Sequence, residues 1–412
     1  MVYWGFHRFG VAECSFTSII IRYLEACMSN LLINYLENII PISFAVLQDG
    51  EEKRIGSGEP AFTVTVNKMP SAQEFLTSTS LALGEAFMRG DIEVDKDLYY
   101  VLNLFLGEMG KFTTDKSKLK KLIMTSRTKA NQKKEVQAHY DLGNDFYKLW
   151  LDESLTYSCA YFKNESDTLY EAQKNKVEHI LQKLALEDGM TLLDIGCGWG
   201  FLMIEAAKKY HIKGTGITLS EEQCRFFQEK IKEEQLEDYL SVQIMDYRDL
   251  SKLEKTFDRV VSVGMIEHVG RGNYGEFLKH VNSALNPGGL FLLHYISAMK
   301  EYPGDAWIKK YIFPGGTVPS LREIVSLLPD YNFYTLDIES LRRHYNHTLL
   351  CWRENFNQNI DEIEKKRGKE FVRMWELYLC ACAATFNNGI IDLHQILVSK
   401  GINNELPMIR VV

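Results

Sequence analysis

The chain has 412 residues, 46% of them hydrophobic and 25% charged, with a formal net charge of −8. That length exceeds one ordinary core, so two domains are expected, and the acidic balance gives no case for nucleic-acid binding. Eight scattered cysteines with no C-x-x-C pair argue against a zinc ribbon or a disulfide framework, fit a reducing compartment, and leave no metal to expect.

Residues 1–27 are aromatic-rich and lack a regular pattern, and their one apolar run, Phe16 to Ile21, is too short for a secretory leader. Two readings stand. Either Met28 is the natural start and residues 1–27 are a spurious or flexible extension, or the extension is genuine and packs as a helix. From Leu31 to Ile40 apolar residues recur at helical spacing, and Pro41 closes that helix. Turn residues then lead into the alternating Phe62, Val64 and Val66, a strand in a small mixed domain. Residues 80–110 read as one or two short helices. Residues 28–110 are thus expected to form a small N-terminal α+β domain for lipid contact or dimerisation.

Residues 111–135 form a basic linker. From Lys111 to Lys134 it carries Lys111, Lys116, Lys118, Lys120, Lys121, Arg127, Lys129, Lys133 and Lys134 against Asp115 alone. Such a run is either a solvated connection or a surface for anionic lipid, where each charge contributes about 1 kcal/mol. The local reversal of sign favours the lipid surface. No apolar stretch is long enough to span a bilayer, so membrane contact is expected to be peripheral.

Residues 136–412 are expected to form one catalytic domain. Leu169, Val177, Ile180, Leu181 and Leu184 mark an amphipathic helix. Then come the strand LLDIG, a helix, the strand KGTGITL, a helix from Ser220, the strands SVQIM and DRVVSV, a helix near 274–285, and the strand GLFLLHYI after NPGG. This alternation predicts an α/β fold with a doubly wound, Rossmann-like parallel sheet, whose ligands bind at the carboxyl ends of the strands. The aromatic-rich, mainly helical residues 298–387 are a candidate cover for that crevice.

The run LLDIGCGWG carries the most chemistry. Gly196, Gly198 and Gly200 let the backbone turn tightly against a ligand, and the following helix points free N–H groups at it. The spacing is G-x-G-x-G, not the G-x-G-x-x-G of dinucleotide binders. Asp194, two residues before the first glycine, suits the cationic end of S-adenosylmethionine. These features favour a methyltransferase over a nicotinamide enzyme, and over a glycine turn that only packs helix on strand.

Around the same crevice, Thr218-Leu219-Ser220 stands where many such enzymes carry an acid for the ribose. Ser220 and Gln223 either cap the next helix or bind ribose or carboxylate. Asp246 and Tyr247 follow the third strand, where an adenine amino group would lie. Glu267 ends the next strand, as a helix cap or as a carboxylate facing the crevice. His294 interrupts an apolar strand, as a core residue or a site residue. Two titratable groups at adjacent strand ends favour a shared site. Cys159 lies among aromatics in YSCAYF with no partner for nucleophilic attack.

Together HYDLGNDFYKLWLDESLTYSCAYF, LLDIGCGWG, GITLS, MDYRDL, VSVGMIEHVG, FLLHYIS, WIKKYIFPGG and YLCACAATF resemble the cyclopropane-fatty-acyl-phospholipid synthases. The resemblance runs from about Gly58 to the C-terminus. It implies that S-adenosylmethionine gives a methyl group to a cis double bond of a membrane phospholipid acyl chain. The resulting carbocation loses a proton from the added methyl and closes to a cyclopropane, with bound bicarbonate as base. By the same resemblance, the bicarbonate ligands are Cys159, Glu267, His294 and Tyr345, with a main-chain contribution at Ile296, and Cys382 is a supporting active-site cysteine. The cofactor set is Tyr157, Ser158, Asp194, Gly196, Gly198, Gly200, Thr218, Ser220, Gln223, Asp246 and Tyr247. A homodimer on the cytoplasmic face of the membrane is expected.

Physical chemistry fits this scheme. A carbocation needs a dry pocket, and aromatic faces stabilise it, which gives Tyr157, Tyr161, Tyr311, Phe313 and Tyr345 a purpose beyond core packing. A carboxylate beside an anion must share a proton, so Glu267 is expected to act as a protonated pair or through His294. The rival readings are lipid methylation without ring closure, a small-molecule N- or O-methyltransferase, and a non-enzymatic membrane-binding protein. Lipid product analysis separates them.

Overall fold

The computed structural model describes residues 42–109 and 142–408. The extension 1–27, the helix expected at 31–40 and the basic stretch 111–134 lie outside the described residues. Two compact units meet in the chain between Met109 and Gly110.

In the first unit, β1 (Phe44–Gln48) and β2 (Glu51–Ile55) form an antiparallel hairpin, and β3 (Thr63–Val66) runs parallel to β1. The helices α1 (Ala72–Thr77) and α2 (Thr79–Arg89), strand β4 (Ile92–Val94) and helix α3 (Leu98–Met109) complete it. The sheet order is β2-β1-β3-β4. Its core is the ring cluster of Phe44, Phe62 and Phe105, with centroids 5.2 to 5.4 Å apart. The α+β character expected of this region is present. The sequence reading assigned β3 but not β1, β2 or β4. Strand β2, EEKRI, buries only Ile55 fully, so its charges mask it.

The second unit starts with α4 (Asn144–Tyr147) and α5 (Leu169–Lys183). Thr168 closes a capping box with Glu171 at the start of α5. Then follow β5 (Thr191–Ile195), α6 (Phe201–Tyr210), β6 (Lys213–Thr218), α7 (Glu221–Glu233), β7 (Leu240–Ile244), β8 (Phe257–Val263), α8 (Tyr274–Ala284) and β9 (Leu285–Ala298). Last come α9 (Ala306–Tyr311), α10 (Leu321–Leu327), β10 (Phe333–Ser340), α11 (Arg342–Gln358), α12 (Ile360–Arg367), α13 (Lys369–Asn387) and β11 (Ile391–Lys400).

These strands form one seven-stranded sheet in the order β10-β11-β9-β8-β5-β6-β7. The run from β9 to β7 is parallel, as expected. The two outermost additions are not: β11 pairs antiparallel with β9, and β10 antiparallel with β11. The sheet is therefore mixed rather than purely parallel. NPGG also lies inside β9, as an irregularity in its pairing with β8, rather than before it.

Helices cover both faces. Val177 and Ile180 of α5, Ile204 of α6 and Phe227 of α7 pack on one face with Leu290 and Leu292. Phe277, Leu278 and Val281 of α8 pack on the other with Phe291, Leu293 and Tyr295. Each fully buried side chain of this kind contributes roughly 1.5–3 kcal/mol. A separate aromatic block joins α4, α11 and α13: Trp150 lies 5.2 Å from Tyr157, 5.6 Å from Trp352 and 5.4 Å from Trp375. Tyr147 rests 5.3 Å from Trp199 of the glycine loop, and Trp199 donates its indole N–H to Asn144 Oδ1 at 2.8 Å. The block is thereby docked on the end of β5.

Candidate active site

The chain reverses its winding at β5, with β6 and β7 to one side and β8 and β9 to the other. A ligand crevice belongs at that point, beyond the carboxyl ends of the strands. A cleft is found there. Tyr157, Ser158, Asp194, Gly196, Gly198, Gly200, Thr218, Gln223, Asp246 and Tyr247, all expected at the cofactor, line it. At Gly198 (φ +55°) a Cβ would meet nothing within 4 Å, so the loop leaves open space there. Asp194 is 3% exposed and its Oδ1 has no hydrogen-bond partner. Burial pushes its carboxyl up to about 7, against the pull of Lys176. An orphaned buried acid beside an open glycine loop fits a ligand that carries an ammonium group.

Ser220 does not line the cleft. Its Oγ accepts from the Gln223 N–H at 3.3 Å, the capping role. Thr218 donates its hydroxyl to Gln223 Oε1 at 2.9 Å, which orients that amide. Both oxygens of Asp246 are held by Arg248, at 2.7 Å from Nε and 2.6 Å from Nη2.

Glu267 sits in a short 3₁₀ turn just past β8. The ladder between β8 and β9 continues through the Gly264 N–H to the His294 carbonyl at 2.8 Å. The next main-chain donor, the Ile296 N–H, goes instead to Glu267 Oε1 at 2.7 Å. Glu267 Oε2 has no partner, and burial pushes this carboxyl up to about 7. Its chain neighbours Met265 and His268 line the cofactor cleft.

Tyr345, on the first turn of α11, has its ring centroid 4.5 Å from that of Phe386, the two planes tilted by 32°. Burial raises its hydroxyl far above the ordinary phenol range, and Tyr378, Cys159, Glu267 and Cys382 add to that effect. Each of these groups therefore lies within electrostatic reach of Tyr345. Burial also raises Cys159, whose Sγ faces the Ala160 carbonyl at 3.2 Å, so it stays a thiol. Cys382 is pushed up to about 12 by burial. The Tyr157 and Tyr378 hydroxyls are 2.7 Å apart. Tyr161 stacks between His179 at 4.3 Å and His344 at 4.7 Å, so its ring faces are occupied. Phe313 lies edge-on to Tyr378 at 5.8 Å, and Tyr311 lies 5.7 Å from Trp307.

His294 points to the α5 face of β9. Burial first, then Lys176, Lys183 and His179, hold it well below the ordinary imidazole range, so it is neutral. Its Nδ1 lies 3.2 Å from Gln395 Nε2 on β11, and its Nε2 has no partner. Among the described residues no hydrogen bond joins it directly to Glu267.

The sequence reading did not single out every cleft residue. Lys176 of α5 lines the cleft, is 2% exposed, and donates to Ser158 Oγ at 3.1 Å. The first half of α5 holds the segment on both sides of Cys159. Gln173 donates to the Ser158 carbonyl at 2.9 Å, and the Tyr161 N–H donates to the Ala172 carbonyl at 3.0 Å. A signal was present: Gln173, Lys176 and Lys183 recur at helical spacing beside the apolar stripe.

The sequence profile of the mycolic acid cyclopropane synthetase family matches residues 127–396, and that of a domain of unknown function (DUF7884) matches residues 31–117. The chain is 37% identical to the cyclopropane-fatty-acyl-phospholipid synthase of Escherichia coli K12, over 86% of this chain and 92% of that protein. It is 38% identical to a probable fatty acid methyltransferase of Pseudomonas putida, over 88% and 94%. The solved structure of the cyclopropane synthase MmaA2 from Mycobacterium tuberculosis superposes with a TM-score of 0.62 at 34% identity, covering 65% of this chain and 98% of that one. The mycolic acid cyclopropane synthase CmaA1, solved with SAH (S-adenosylhomocysteine) and CTAB, gives 0.61 at 34% identity, covering 65% and 98%. With a matched profile over most of the second unit and relatives aligned nearly end to end, the chain belongs to the mycolic acid cyclopropane synthetase family.

Proposed function

We propose that this enzyme adds a methylene unit from S-adenosylmethionine across the cis double bond of an unsaturated phospholipid acyl chain, forming a cyclopropane. The observation that carries this reading is the neighbourhood of Glu267. A buried, half-satisfied carboxyl lies within electrostatic reach of Tyr345, as Cys159 does, and its chain neighbours line the cofactor cleft. The names of the Escherichia coli and mycobacterial relatives support it.

S-adenosylmethionine supplies an electrophilic methyl group when bound. The residues of this chain do the rest. Asp194 accepts the ammonium, and the glycine loop admits the ligand against the backbone. An alkene is a weak nucleophile, so alignment in the pocket provides much of the acceleration. The rings of Tyr157, Tyr345, Tyr378 and Phe313 exclude water and face a developing carbocation. A proton must then leave the added methyl group. Cys159, Glu267, His294, the Ile296 main chain and Tyr345 would hold bicarbonate, which would supply the proton acceptor. With its carboxyl raised to about 7, Glu267 exchanges its proton near neutral pH and so can share one with an anion rather than repelling it. The enzyme works as a homodimer, peripherally bound to the cytoplasmic face of the membrane through the basic stretch.

The test is incubation of the purified protein with S-adenosylmethionine and vesicles of unsaturated phospholipid, followed by proton NMR of the released fatty acids. High-field methylene signals of a cis-cyclopropane are expected. A methyl-branched alkene in their place would assign lipid methylation without ring closure, in line with the name of the Pseudomonas putida relative. Unaltered acyl chains would overturn both readings.

A further inference from the structure

We propose that Lys176 binds the α-carboxylate of the cofactor's amino-acid end, together with the Ser158 hydroxyl. The inference rests on the reading that the cleft takes S-adenosylmethionine. An amino-acid end is a zwitterion, and its receptor needs a partner of each sign. Asp194 supplies the negative partner, with an oxygen left unpaired. Lys176 is the cationic side chain among the cleft-lining residues. An ammonium has three donors, and burial of a charge is costly unless it is paired. Among the described residues, Lys176 makes one hydrogen bond, to a neutral hydroxyl. Two of its donors are therefore left for a ligand. Gln173 holds the Ser158 carbonyl from behind, which keeps this residue at the cleft wall. A carboxylate resting on Lys176 and Ser158 would lie across the cleft end from Asp194. The sulfonium and adenosine would then extend toward Gly198 and Gln223.

The groups acting on Lys176 are Cys159, Asp152 and Asp194, and burial outweighs them, holding its ammonium down to about 8. Arrival of a carboxylate should restore the proton. Arrival of a ligand ammonium at Asp194, itself near 7, should release one. The two linkages have opposite signs and can be separated by ligand choice.

The experiment compares SAH with S-adenosyl-3-thiopropylamine, which lacks only the carboxylate, by titration calorimetry on the full chain. The Lys176→Met protein should bind SAH about ten- to hundredfold more weakly, the range for a hydrogen bond to a charged group. Its affinity for the amine should be unchanged or tighter, because a repelling cation has gone. In the native protein at about pH 8, in buffers of different ionisation enthalpy, SAH should take up more protons than the amine. That second measurement stands even where the variant fails to fold. Equal losses for both ligands, or equal proton exchange, would overturn the assignment of Lys176. Failure of both ligands to bind the native protein would remove the cofactor reading itself.

Discussion

Two glycines of the loop should fail in opposite ways when each receives one methyl group. At Gly200 (φ +89°) an added Cβ would overlap the Phe227 ring, which is fully buried under α7. Overpacking of that kind costs about 1–3 kcal/mol, and the left-handed backbone adds about 1–2 kcal/mol for a residue with a side chain. Gly200→Ala should therefore lose roughly 2–5 kcal/mol of stability, a fall in Tm on the order of 10 °C for a unit of this size. At Gly198 (φ +55°) the same methyl meets nothing within 4 Å. Only the backbone cost applies, about 1 kcal/mol. The methyl instead occupies the ligand's approach, and Gly198→Ala should weaken SAH binding by at least about tenfold, or about 1.4 kcal/mol. Thermal unfolding and calorimetry on both variants give the two readouts. A folded Gly198→Ala protein with native affinity for SAH would show that the ligand does not approach this loop. A Gly200→Ala protein with native Tm would refute the packing argument.

Glu267→Gln and Tyr345→Phe should each lower kcat about 100-fold or more, the scale of proton-transfer catalysis, with SAH affinity nearly unchanged. Full activity in both variants would remove these residues from the reaction. Because burial raises Glu267 from 4.5 to about 7, its contribution to stability is complete below the ordinary carboxylate range and is lost as pH rises through about 7. Glu267→Gln should flatten that decline in urea midpoints measured at about pH 5 and about pH 8. Burial alone would raise Glu339, but hydrogen bonds from His179 and Lys183 hold it at about 2. Its stabilisation is present above the ordinary carboxylate range and lost as pH falls toward 2. Glu339→Gln should cost about 1–3 kcal/mol in urea unfolding at neutral pH, and no change there would make the cluster neutral. Joint replacement of Lys116, Lys118, Lys120 and Lys121 by Gln should reduce binding to anionic vesicles without altering SAH affinity. Co-sedimentation indifferent to lipid charge, salt and these substitutions would leave the stretch as a linker only.

Much of the second unit was legible in the sequence because its signals are local. The apolar run of β5, the alternating glycines and the amphipathic pattern of α6 adjoin in the chain, and each fixes its own backbone. Repetition of that pattern predicts the five parallel strands and puts the cleft at their ends. Strands β10 and β11 were not legible. Strand β11 reads as a short apolar run, which periodicity cannot assign. Strand β10 alternates inside a segment dominated by helices. The charges of β10 make sense only against α5, where Asp337 and Glu339 meet Lys183 at 2.9 and 2.6 Å. The site divides in the same way. Asp194 and Gly198 were placed by their neighbours in sequence. Whether Asp246 is free could not be read, since its acceptors are taken by Arg248 only through the geometry of the turn. Lys176 reads as one of many lysines on a helix. It becomes a cleft residue because folding brings the segment before Cys159 back onto α5, so that Ser158 meets it across 18 positions of chain. Local backbone preference and periodicity act over a few residues and are written in order along the chain. Burial, and the charge partner it makes necessary, depend on contacts between distant segments, and only the tertiary structure decides them.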